Sequence, residues 1–140
     1  MDREALKALI CEVLQEKMGA AHGVRKAALP QIVVGPQDRL ETGSASDQVY
    51  THDLFSLEQS PRLGAGIMEM RETTFPWTLH YDEIDYVIEG ELSILIDGQT
   101  ITAGPGEIIL IPKDSSISFS VANFARFLYV TYPADWQQQA

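Results

Sequence analysis

The sequence predicts an all-β domain, a barrel or sandwich of short strands, preceded by one short α-helix. Three observations predict it. From Gly64 onward apolar residues recur with a period of two in short runs, each bounded by glycine or proline. Asp97-Gly98 lies between two such runs and is the strongest hairpin signal in the chain. Only residues 2–18 carry convincing helical spacing. Many short strands at even spacing are the pattern of closed or double-sheet β architectures.

Along residues 2–18, Leu6, Leu9, Ile10, Val13, Leu14 and Met18 fall on one helical face, with Arg3, Glu4, Lys7, Glu12, Glu16 and Lys17 on the other. Gly19 supplies the stop. Residues 19–30, mixing Ala, Gly and basic side chains, read as a tether, and residues 31–140 as the β domain. Ile32 to Val34 is a short apolar run ending at the turn signal Gly35-Pro36. Val49 to Thr51 and Leu54 to Leu57 suggest short strands, with a polar loop from Glu41 to Gln48 before them. Gly66 to Met70, Glu83 to Glu89, Leu92 to Ile96, Gln99 to Ala103, Glu107 to Ile111, Ile117 to Val121 and Arg126 to Tyr132 complete the strands.

The chain of 140 residues, 45% of them hydrophobic, suits one domain with a real core. It has no apolar run of about 18 residues or more, so no spanning helix is expected. Met1-Asp2-Arg3-Glu4 does not open a secretory signal, and the single cysteine, Cys11, excludes an internal disulfide. A cytoplasmic location is therefore expected, with Cys11 packing as a small apolar residue. The net charge of −10 argues against nucleic acid and anionic membrane as partners, since both require a basic surface.

Within residues 75–112, Glu83 is followed after six residues by Gly90, and Gly106 after five by Pro112, with the Asp97-Gly98 turn between them. These pieces, in this order, resemble the two motifs of the cupin family. The resemblance implies a single-domain cupin, a double-stranded β-helix or jelly-roll barrel. Metal cupins place two histidines ahead of the glutamate; here those places hold Trp77 and Leu79. The second motif's glycine and histidine places hold Asp114 and Ile117. His80 is one place out of phase, which on a strand is the opposite face. It stays a candidate ligand-binding residue only if a bulge re-aims it. His22 and His52 lie outside the motifs. Glu83 alone cannot hold a transition metal, which needs three or four converging ligands. No tightly bound transition metal is expected.

The run from Trp77 to Gly90, WTLHYDEIDYVIEG, resembles more narrowly the ethanolamine-utilisation cupins, the EutQ family. That resemblance implies a bacterial protein associated with a microcompartment. It also implies an acetate kinase activity, with Mg²⁺ and ATP/ADP as its reactants. It makes residues 2–18 a docking helix for a shell or cargo protein, against the plainer reading in which the apolar face packs on the barrel.

If Glu83 faces the barrel interior, so do Tyr81 and Asp85, at steps of two, and Trp77 and Leu79 share that parity. The family register adds Ile117 and Phe119 from the facing strand. Glu83, Asp85 and Tyr81 are thus the candidate catalytic residues, and Trp77, Leu79, His80, Ile117 and Phe119 the candidate ligand contacts. Two neighbouring carboxyls raise one another's pKa and suit acid–base work. They equally suit an ammonium ligand, or are held by an arginine such as Arg71 or Arg126. No phosphate-cradling glycine loop is present, because Gly64-Ala65-Gly66 lacks the Lys-Ser/Thr that follows in such loops. Lys113 and Arg62 are the nearest cations for phosphate, both expected at the surface. The rival readings are a non-catalytic small-ligand or assembly module and a metal-independent isomerase using the carboxylates. A homodimer is expected because exposed sheet edges need cover.

Overall fold

The computed structural model describes residues 2–18 and 22–139 and, within the helix, side chains only as far as Ile10. Helix α1 spans Arg3–Met18. Asp2 starts it: the Ala5 amide donates to Asp2 Oδ1 at 2.7 Å, satisfying one of the unpaired first-turn donors. Leu6, Leu9 and Ile10 are exposed rather than packed on the barrel. The expected stop at Gly19, the first residues of the tether and the Cys11 side chain lie outside the described residues. No described helix is long and apolar enough to cross a membrane.

Seven strands follow: β1 (Val49–Asp53), β2 (Gly64–Leu79), β3 (Asp82–Gly90), β4 (Leu92–Ile96), β5 (Gln99–Ala103), β6 (Ile108–Ile111) and β7 (Ser115–Tyr132). All pair antiparallel. The longest pairing joins β2 to β7, from Gly64 opposite Thr131 to Leu79 opposite Ser115, with a bulge between Arg71 and Thr73. Glu72 takes a left-handed φ of 45° there. One half of this long pair is flanked by β1 on β2 and by β3 on β7, with β6 beyond β3. The other half is flanked by β4, which pairs with Ser118–Ser120 of β7 and carries β5. Two strands therefore serve both sheets, and the bulge marks the passage from one to the other.

The hairpin expected at Asp97-Gly98 is there: Ile96 pairs with Gln99, and both turn residues have positive φ, 50° and 75°. Three expectations change. The strand expected at Gly66 to Met70 runs on through residues 71–79 as part of β2. Pro76 is tolerated because this part of β2 pairs only with β7, leaving its other edge open. Residues 117–121 and 126–132 belong to one strand. Ile32–Val34 and Leu54–Leu57 are not strands. The first is pinned by its backbone: Arg126 donates to the carbonyls of Leu29 and Ile32 at 2.8 and 2.9 Å while paired with Glu69. The chain is thus anchored to the sheet from Leu29 onward. The second turns away after the Leu54 amide bonds Ala65, its turn held by mutual Ser56 and Gln59 bonds.

The inward faces alternate as a period-two pattern requires, and one apolar core runs from Val49 and Leu40 through Phe75, Phe119 and Phe127 to Leu92 and Ile94. Phe119 stacks between Phe75 and Phe127, with centroids 5.4 and 6.5 Å apart. Gly90 closes β3 with a φ of 80°, and a Cβ there would run into the Phe124 carbonyl.

Candidate functional site

The residue after each outward side chain of β3 points into the barrel, so Tyr81, Glu83, Asp85 and Val87 share the interior. Glu83 is 5% exposed and Asp85 fully buried. Beside Glu83 on β7 stands Thr131, and beside Asp85 stands Tyr129. Across from those two, on β2, stand Gly64 and Gly66. A Cβ at either glycine would overlap the Thr131 or Tyr129 side chain. The glycine pair is therefore what lets a tyrosine lie across β2. The Tyr129 hydroxyl reaches over Gly66 and donates to Asp53 Oδ1 on β1 at 2.6 Å.

Aromatic rings close around Glu83. Trp77 Nε1 donates to the Tyr81 hydroxyl at 2.8 Å. After β7 the chain turns back, and a short 3₁₀ turn, Trp136–Gln138, inserts Trp136 into the mouth. Its ring lies 6.3 Å from Trp77, 6.0 Å from Tyr81 and 5.7 Å from Tyr129. The space left among Trp136, Trp77, Tyr81, Tyr129 and Glu83 is about 10 Å³, room for about one water molecule.

Among the described residues no cation balances the acids. Arg126 is committed to Glu69, and the Arg71 guanidinium lies 4.7 Å over the Phe124 ring. Among the described residues no ion pair reaches Glu83 or Asp85, and no N–H or O–H group donates to either Asp85 oxygen. Burial pushes Glu83 up to about 7. Burial raises Asp85 well above the usual carboxylate range, helped by the charge of Glu83. Tyr81 and Tyr129 are pushed up by burial first, and for Tyr129 also by its bond to Asp53.

Seven of the eight residues singled out from sequence meet in or around this interior. Glu83, Tyr81, Trp77 and Phe119 line the interior space, while Asp85, Leu79 and Ile117 are buried around it. His80 does not join them. It sits in the tight turn between β2 and β3, exposed, with Nδ1 3.4 Å from Asp114. No bulge intervenes between Thr73 and the strand end to bring it back in phase. His52 pairs with Asp38 at 3.0 Å outside the barrel, and His22 is exposed. Lys113 and Arg62 are exposed. No three His, Cys, Asp or Glu side chains converge among the described residues. Sequence reasoning missed Tyr129, Asp53, Thr131 and Trp136. A glycine pair two apart in a strand signals a close approach, but not by what. Nothing periodic marks Trp136.

A rolled antiparallel sheet with its polar residues sealed inside is the cupin architecture. A cupin superfamily protein of Desulfitobacterium hafniense DCB-2 shares the fold, with a TM-score of 0.55 over 61% of this chain and 78% of that one at 18% identity. The sequence model of the family described as "Ethanolamine utilisation protein EutQ" matches residues 1–138, and the chain belongs to that family. The acetate kinase EutQ of Clostridioides difficile (strain 630) is 51% identical over 151 residues, spanning 99% of this chain and 96% of that protein. The solved Clostridium difficile EutQ structure has a TM-score of 0.84 at 60% identity, covering 86% of this chain and 88% of that one. The acetate kinase EutQ of Escherichia coli (strain K12) is 47% identical over 85 residues, which are 61% of this chain but only 36% of that protein.

The buried pair makes stability fall with pH. Glu83 unfolded titrates near 4.5 and folded near 7, so between these the folded state binds the proton more tightly. Its favourable contribution is complete below about 4.5 and is lost as pH rises through 7. At pH 8, Glu83→Gln should therefore be the more stable protein, by on the order of 3 kcal/mol. At pH 4.5 the advantage should vanish. Urea unfolding of both proteins across this range checks it.

Proposed function

We propose that this chain is an acetate kinase of bacterial ethanolamine breakdown, interconverting acetyl phosphate and ADP with acetate and ATP. What carries the reading is the similarity, along almost the whole of both chains, to the Clostridioides difficile acetate kinase EutQ. The barrel interior sets a condition on it. Carboxyl oxygens are the donors Mg²⁺ takes. Yet a space for about one water cannot hold the ion's other ligands and a phosphate chain. Phosphoryl transfer beside Glu83 therefore requires the Trp136 segment to withdraw from the mouth. The test is acetyl-phosphate-dependent ATP formation from ADP and Mg²⁺, with purified wild type and Glu83→Gln. Turnover in wild type and a loss of about a hundredfold or more in a folded variant is expected for acid–base work in the barrel. Equal turnover in both moves the reaction to the outer surface. None in wild type, where a known acetate kinase works, overturns the activity.

The protein is proposed to work as a homodimer in the cytoplasm, without a resident transition metal. The outer face of β3 and the edge strand β6 supports the dimer. Ile84 pairs with Leu110 and Tyr86 with Ile108, and all four are exposed large apolar side chains. Light scattering should give twice the chain mass for wild type and the single-chain mass for Ile84→Glu/Leu110→Glu.

Association with a microcompartment is proposed to run through residues 2–18. Supporting it, Leu6, Leu9 and Ile10 are 48%, 45% and 50% exposed, an apolar stripe turned to solvent. Deleting residues 2–18 should leave the barrel's melting temperature unchanged and abolish co-sedimentation with purified shells. Undiminished co-sedimentation would refute the docking role.

A further inference from the structure

The interior is closed on one side by a segment that the sheets do not hold. We propose that residues 133–139 are a lid, a strap that lifts from the barrel and re-seats as a unit while the strands stay paired, with the Trp136 ring as its latch. These residues follow β7 and belong to no strand. Among them only Ala134 and Trp136 are buried, while Gln137 and Gln138 are exposed.

The hydrogen bonds of the strap are its own. The Gln138 amide donates to the Asp135 carbonyl at 2.9 Å, and the Gln139 amide to the Trp136 carbonyl at 3.2 Å. The Gln139 side chain donates to Asp135 Oδ1 at 3.2 Å. Among the described residues none joins residues 133–139 to the barrel. Lifting the strap therefore breaks no hydrogen bond to the sheets and carries the 3₁₀ turn away intact. What is given up is the burial of Ala134 and Trp136 and the contacts of the indole with three rings. Few buried apolar groups and no bonds to the core place a segment at the low end of local opening free energies.

The rest of the wall is tied down. Of the residues lining the space, Leu40, Tyr81 and Trp136 lie outside the strands. The Leu40 amide donates to the Val49 carbonyl at 2.8 Å, and two residues earlier Asp38 pairs with His52 of β1 at 3.0 Å. The Tyr81 hydroxyl takes the Trp77 indole N–H, and Tyr129 is held by Asp53. A buried tryptophan usually gives its N–H a partner. Trp136 Nε1 donates to no described residue, so the latch is held by shape alone. With the strap lifted, the bonds of Trp77, Tyr81 and Tyr129 keep the wall in place around a slot of indole size beside Glu83.

Gly64 is the seat. A Cβ there would stand 3.2 Å from the Ala134 carbonyl oxygen and 3.3 Å from its Cα, besides overlapping the Thr131 hydroxyl. Its absence lets the strap lie close on the start of β2 by packing alone. Closed, the lid leaves room for about one water molecule; open, it admits a ligand to Glu83. Such a lid meets the condition set above on phosphoryl transfer. It does not rest on that reaction, because opening is measured with neither nucleotide nor acetyl phosphate present.

Thiol labelling by dithiobis-nitrobenzoate, in a Cys11→Ser background, tests the lid. Ala134→Cys puts a thiol under the strap, Gln137→Cys one on its exposed side, and Ala125→Cys one on the fully buried face of β7. In native buffer Ala134→Cys should react at least about tenfold slower than Gln137→Cys and at least about a hundredfold faster than Ala125→Cys. Its rate should stay nearly flat in urea below the unfolding transition, since a small opening exposes little surface. Adding Trp136→Ala should speed it at least about fivefold, with the fold kept by circular dichroism. Trp77 is then the one tryptophan left, and acrylamide should quench it more strongly than in Trp136→Phe, which keeps a ring in the slot. Labelling of Ala134→Cys with the rate and urea slope of Ala125→Cys overturns the lid, because the strap then opens only with the barrel. Labelling as fast as Gln137→Cys overturns it too, because the strap is then never shut. No acceleration by Trp136→Ala removes the latch, and unfolding of both Trp136→Ala and Trp136→Phe makes the ring part of the core instead.

Discussion

The pairing of β2 with β7 is the constraint on which everything else depends. These strands run beside one another for nearly their whole length and pass from one sheet to the other at the Arg71/Thr73 bulge. One half offers β7 to β3, the other offers it to β4. Without the shared pair there would be two small sheets, each with an open face. With it, the alternate residues of both halves converge on a common interior, and the carboxyls of β3 are brought opposite the aromatics of the far sheet. Long-range pairing of this kind fixes register strongly, because a slip of one residue would turn Tyr129, Thr131 and the phenylalanines outward.

Given that interior, its chemistry follows from what is missing. A cupin glutamate is here kept in place while the expected histidine places hold Trp77, Leu79, Asp114 and Ile117. A second acid, Asp85, lies two residues on. Among the described residues the two have no counter-charge, so burial holds both carboxyls above the usual carboxylate range. The cost of burying them is the kind of strain that proteins store at functional sites. Gly64 and Gly66 complete the arrangement by giving up side-chain volume to Thr131 and Tyr129. The apolar outer face of β3 and β6 and the exposed helix stripe are separate features, each on a surface the barrel does not use.

The family and the acids were legible because both lie on strong local signals. Period-two alternation through Tyr81, Glu83 and Asp85 states which side chains share a face, and the glycines and proline around them state where the strand ends. The same parity argument put His80 outside, where it is found. His80 could join the interior only through a bulge, and the one bulge in β2 falls too far upstream to move it. Residues 71–79 were less legible, since Arg71, Glu72, two threonines and Pro76 suppress the strand signal that pairing with β7 then restores.

The sequence by itself determined the fold class, the hairpin at Asp97-Gly98, the α1 helix, and the inward set of β3, because each rests on residues close together in the chain. Only the tertiary structure decided that Tyr129 bridges to Asp53, that Arg71 and Arg126 are spent elsewhere, and that Trp136 seals the mouth. These contacts join residues tens of positions apart, and no local periodicity encodes which side chain a folded neighbour will meet. The unmet hydrogen bonds of the Asp85 oxygens are of the same kind, since they exist only once every nearby donor has found another partner.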